Sequence, residues 1–101
     1  MSGIEGTWDC VMSTPMGDQK SVLELESAGS SVSGTSTNDY EKLEISDGSF
    51  DGRTFTWKMV AAFPFRMDMS GKVAVDGDAF SGGVSVGFFG TSDIRGTRRA
   101  G

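Results

Sequence analysis

Apolar and polar residues alternate along most of this chain, and the alternating runs are separated by short clusters of Gly, Ser, Asn and Asp. Alternation at period two puts every second side chain on one face, so the pattern predicts half-buried strands joined by tight turns. Residues 5 to 13 set Trp8, Cys10 and Met12 against Thr7, Asp9, Val11 and Ser13. Thr14-Pro15-Met16-Gly17-Asp18 reads as a reversal, since Pro presets φ and Gly supplies a positive one. A second strand follows over 19 to 27, with Leu23 and Leu25 inward and Glu24 and Glu26 outward. After Ala28-Gly29-Ser30-Ser31, residues 32 to 37 form a strand of small side chains that specify register weakly. Asn38-Asp39-Tyr40-Glu41 breaks the pattern, and Leu43 and Ile45 carry a fourth strand over 42 to 46. Asp47-Gly48 is expected to turn, and Phe50-Asp51-Gly52 to bulge or bend again.

The strongest run covers 53 to 63, where Phe55, Trp57 and Met59 oppose Thr54, Thr56 and Lys58. Pro64 interrupts it. Phe65, Met67 and Met69 then oppose Arg66, Asp68 and Ser70 in a long strand that Gly71 is expected to kink on the way to Val73 and Val75. Asp76-Gly77 is a hairpin dipeptide leading into 79 to 87, with Phe80, Val84 and Val86 on one face. Phe88-Phe89-Gly90 turns into 91 to 98, where Ile94 and Arg98 share the side opposite Asp93 and Arg95. Three segments, 29 to 34, 48 to 52 and 77 to 82, each bracket an apolar residue between glycines near an expected hairpin, which common turn chemistry explains better than a repeated unit. No stretch holds apolar residues at helical spacing for three turns. The prediction is all-β: one domain over residues 1–101, a closed antiparallel up-and-down barrel of about eight strands with no substantial helix.

Closure is expected from the two ends of the chain. Gly6-Thr7-Trp8 on the first strand would face Gly96-Thr97-Arg98 on the last, with the guanidinium flat on the indole, a contact worth about 0.5–2 kcal/mol. Pairing the first and last strands also removes both exposed sheet edges.

Composition narrows function mainly by exclusion. The net charge of -5 argues against a nucleic-acid partner or an anionic membrane surface. Cys10 is the single cysteine and there is no His, so an intramolecular disulfide, a Cys/His zinc site and the Ser-His-Asp and Cys-His nucleophile arrangements are all ruled out. No metal and no cofactor is expected. The opening Met1-Ser2-Gly3-Ile4-Glu5 has neither a basic nor an apolar leader region, and no apolar run is long enough to span a bilayer as a helix, so a cytoplasmic protein is expected.

The Gly6-Thr7-Trp8 strand and the closing Gly96-Thr97-Arg98, with Asn38-Asp39-Tyr40 between them, resemble the signature of the calycins, the lipocalin, fatty-acid-binding and avidin-like barrels. That likeness implies a small barrel holding an apolar ligand; the biotin-binding pattern of avidins is not evident. A fuller likeness runs through Thr14-Pro15-Met16-Gly17, Val32-Ser33-Gly34-Thr35, Ile45-Ser46-Asp47-Gly48, Asp51-Gly52 and Val75-Asp76-Gly77-Asp78. It is to a short bacterial barrel domain found alone or appended to flavin-dependent oxidoreductases and amidohydrolases, which implies the fold and leaves an accessory role open.

Candidate chemistry concentrates on one wall. Phe55, Trp57, Met59, Phe65, Met67 and Met69 would line it, and thioethers that adapt in shape beside aromatic rings suit a small hydrophobic or aromatic ligand, although about eight strands also leave an interior that side chains alone can fill. Tyr40, in the loop with Asp39 and Glu41, would sit at the mouth and offers a ring and a hydroxyl together. Two other readings stay open. The apolar Val60-Ala61-Ala62-Phe63-Pro64 and Phe88-Phe89 fit a homodimeric or accessory interaction module of a larger enzyme. A cofactor-free isomerase, cyclase or lyase would use Tyr40, or an Asp68 turned inward by a bulge, as acid or base. Cys10 reads as a small buried hydrophobe, not a nucleophile.

Overall fold

A computed structural model describes residues 4–14, 17–39, 41–61, 66–87 and 90–99. Eight strands follow one another: β1 (Gly6–Thr14), β2 (Gly17–Ala28), β3 (Ser31–Thr37), β4 (Lys42–Phe50), β5 (Thr54–Ala61), β6 (Met67–Asp76), β7 (Ala79–Val86) and β8 (Thr91–Arg98). Each pairs antiparallel with the next, and β8 pairs back onto β1, so the sheet closes as an up-and-down barrel. No helix occurs among the described residues, and hence none long and apolar enough to cross a membrane.

Two-residue loops set the register at one end. Ala28 pairs with Ser31 around Gly29-Ser30, and Asp76 pairs with Ala79 around Gly77-Asp78. In each loop the first residue is a glycine at positive φ, 65° and 62°, the conformation a two-residue hairpin asks of its first position. The third connection at this end is wider, and Asp51 holds it: its Oδ1 accepts from the N–H of Arg53 at 2.9 Å and of Thr54 at 2.7 Å.

The fourth strand differs from expectation. Asp47-Gly48 is not a turn; β4 runs straight through it to Phe50. Ser46 pairs with Lys58 but Ser49 with Thr56, so β4 spends three residues against two of β5, a bulge with Asp47 at a φ of 51°. The extra residue exchanges the two faces. Leu43 and Ile45 point inward before the bulge and Phe50 after it, and Gly48 passes so close to the Val32 carbonyl that a side chain has no room. The glycine-bracketed segment at 48 to 52 is therefore a bulge and a loop, unlike the hairpins at 29 and 77.

The floor of the barrel is the Trp8 end. Trp8 is fully buried, packs against Phe80 at 4.8 Å between ring centroids, and carries the Arg98 guanidinium 4.6 Å from its own. Trp8 pairs with Arg98 across the β1–β8 seam, so the expected closure is the observed one. Gly96 makes room for it, since a methyl group there would lie 2.5 Å from the Phe80 ring. Ile4, fully buried ahead of β1, is a further plug that the alternation did not reveal.

Candidate functional site

The inner faces of β5 and β6 meet in a regular register: Phe55 opposite Val73, Trp57 opposite Gly71, Met59 opposite Met69. Two residues apart on one strand, Phe55 and Trp57 share a face and stack, with ring centroids 4.7 Å apart and planes 17° from parallel. The expected kink at Gly71 is absent, because pairing continues unbroken through it on both sides. Its function is space. A Cβ at position 71 would run into Cζ2, Cε2 and Cη2 of Trp57, so the missing side chain lets the indole lie across β6.

The indole of Trp57 is buried in that slot, and its Nε1 has no hydrogen-bond partner among the described residues. An unpaired buried donor costs about 1–3 kcal/mol relative to a paired one. Trp8 shows the usual arrangement, its Nε1 donating to the Ile4 carbonyl at 2.9 Å.

Beyond Trp57, toward the end opposite the floor, the lining changes to thioethers. Met59 is buried, while Met12, Met67, Met69 and Val86 are half-buried against the core. Of the wall expected from alternation, the structure brings Phe55, Trp57, Met59, Met67 and Met69 together on β5 and β6. Tyr40 and Phe65 lie outside the described residues, as do 62–64 and 88–89 of the two apolar runs. Met12 and Val86, inward on their strands by alternation, belong to the same rim: Val86 pairs with Met69 on the neighbouring β7, and barrel closure places β1 across the interior from β5.

Asp68 faces outward, and every carboxylate within the strands is exposed. Cys10 does face inward, its Sγ 3.8 Å from the Trp8 carbonyl oxygen, but burial, reinforced by the nearby Asp9 charge, pushes its thiol up to about 12. It stays protonated near neutral pH and is no nucleophile. At the floor Arg98 is committed: Nη1 donates to the Glu5 carbonyl at 2.6 Å, Nη2 to the Gly77 carbonyl at 3.1 Å, and Nε pairs with Asp78 at 2.9 Å. Among the described residues no group of three His, Cys, Asp or Glu is placed to hold a metal ion.

Two hollows lie in the outer wall. The wider, about 510 Å³, is an open trough over Trp57 and Gly71, flanked by Thr56, Lys58, Ser70 and Lys72. The other lies over Val11, Ser13, Ser81 and Asp93. Both are lined largely by solvated side chains of the outward faces. The interior is packed through its floor and middle, so a guest inside must displace side chains, and only the methionine rim is built of chains that yield easily.

No protein-family model, no curated protein and no solved structure matches this chain.

Proposed function

We propose that the barrel binds a small hydrophobic or aromatic molecule at its methionine-lined end, between β5 and β6. The observation that carries this reading is the contrast within one continuous interior. The floor is sealed by interlocked rings, whereas the opposite end is finished with four methionines, three of them only half-buried. Unbranched thioethers change rotamer at small cost and contact ring edges favourably, so they can part for a flat guest and close over it. The guest would stack beside Trp57 and Phe55 and be held by burial, with Phe65 and Tyr40 as further contacts on the sequence reading.

Neither rival draws equal support. The described inner wall offers no carboxylate for an isomerase or lyase, and of the apolar runs that favour a dimer or accessory interface Val60 is exposed while 62–64 and 88–89 lie outside the described residues. A lone buried thiol suits a reducing, cytoplasmic setting.

Tryptophan emission tests the proposal directly. Titrating the protein with a panel of naphthalene-, indole- and flavone-type compounds should give saturable changes with at least one, and these should vanish in Trp57→Phe while Trp8 remains as the emitter. No saturable change with any of them would overturn it.

A further inference from the structure

We infer that the molecule held at this end carries an uncharged hydrogen-bond acceptor, a ketone-, ester- or lactone-type oxygen, and that Nε1 of Trp57 donates to it. This rests on interior binding, which it refines from any apolar guest to one of a defined chemical class.

The starting point is the unpaired indole N–H. Trp57 is 2% exposed, stacked on Phe55 and fitted into the space that Gly71 leaves, so its ring is held in place with no acceptor for its donor among the described residues. An indole nitrogen only donates, and an acceptor is the one kind of group that completes it. Buried polar atoms without partners are rare in folded proteins, and a functional role is among the few reasons for one. The other tryptophan makes the contrast internal to this chain, because the floor indole has its acceptor built in from Ile4.

Position supports the same reading. Met59 follows Trp57 on the same face of β5, about 7 Å further toward the rim by strand rise, and pairs with Met69. A guest that parts these two thioethers meets Trp57 next. Charge then narrows the class. The inward titratable groups on the described walls are Cys10, a neutral thiol, and Arg98, whose guanidinium is already bonded to Glu5, Gly77 and Asp78 at the floor. A carboxylate guest would be buried with no counter-charge, which is strongly unfavourable, whereas a carbonyl needs only the one donor.

Two probes of equal shape separate the possibilities: 2-acetylnaphthalene, which has a C=O, and 2-isopropenylnaphthalene, which has C=CH2 in its place. Each is titrated into the ¹⁵N-labelled wild-type chain while the two indole N–H resonances are followed. Both should bind. The ketone should bind about tenfold more tightly, the worth of one hydrogen bond formed to an otherwise unpaired donor. It alone should move the Trp57 N–H signal downfield, with the Trp8 signal unmoved. Trp57→Phe should bring the two affinities together, and the resonance readout needs no variant to fold. Equal affinities with no ketone-specific shift would overturn the inference and leave interior binding standing; a water molecule already satisfying the N–H would give that result. If neither probe binds, interior binding fails and the inference with it.

Discussion

The two tryptophans occupy one barrel and are engaged to different degrees. At the floor, Trp8 has every part engaged: its N–H on Ile4, one ring neighbour in Phe80, and a guanidinium over its face. Trp57, higher in the same interior, is as deeply buried and stacked on Phe55, yet its N–H points at nothing among the described residues. Burial alone does not separate a structural plug from a binding residue. The binding role proposed for Trp57 rests on polar satisfaction instead: a fold that seals an end for stability also closes its hydrogen bonds there, and an end left incomplete is where a guest can contribute.

Replacing each indole by phenyl breaks this comparison most sharply. Both changes remove similar ring volume, but Trp8→Phe also strips the Ile4 carbonyl of its donor and weakens the contact with Arg98. A loss of about 3 kcal/mol is expected. Trp57→Phe discards a donor with no partner among the described residues, which offsets part of the lost packing, and should cost less than about 1 kcal/mol. Urea denaturation of the two variants beside the wild type measures the difference. Equal losses would mean the Trp57 N–H is satisfied after all.

Arg98→Met should come next in size. The methionine keeps some of the packing over the indole but gives up the cation–π contact and the bonds to the Glu5 and Gly77 carbonyls, for a cost of about 1–2 kcal/mol. The ion pair with Asp78 adds little to this, since that carboxylate is well exposed. In a chain of this length about 4–8 °C of melting temperature corresponds to each kcal/mol, so a thermal melt resolves it. Binding of an apolar probe at the other end should be unaffected. A fall in probe affinity matching the fall in stability would show that the two ends are not independent.

The floor was the more legible end in the sequence, and the reason is physical. Gly6-Thr7-Trp8 and Gly96-Thr97-Arg98 each combine a glycine with a residue that has one obvious partner, so the seam between β1 and β8 follows from residue types alone. Alternation likewise placed Phe55, Trp57, Met59, Met67 and Met69 on one wall. It failed where one extra residue changes parity. Asp47-Gly48 has the composition of a turn, and only pairing with β3 and β5 makes it a bulge inside β4. Gly71 misled for a related reason: a glycine in a strand signals either a bend or the close approach of a neighbour, and which one holds depends on the indole across the sheet. Ile4 stands alone before the first strand with no period to mark it.

The smallest expected effect concerns the loop between β4 and β5, at the floor end. Its carboxylate accepts the N–H groups of Thr54 and Arg53, and those bonds hold the Asp51 pKa below its ordinary value of 3.8. A carboxyl with a lowered folded-state pKa adds stability that is present above 3.8 and disappears as pH falls through the lowered value. Asp9 shifts the same way, chiefly through its hydrogen bonds with Arg99. Asp51→Asn keeps an acceptor oxygen for the loop and removes the titration at one site only. Urea midpoints taken at pH 5, 4, 3 and 2 should therefore fall less steeply for the variant than for the wild type, with the Asp9 contribution common to both. Because the group is solvent-exposed the separation will be slight. Parallel curves would mean the Asp51 charge does nothing for the loop, leaving the acceptor geometry as its whole contribution.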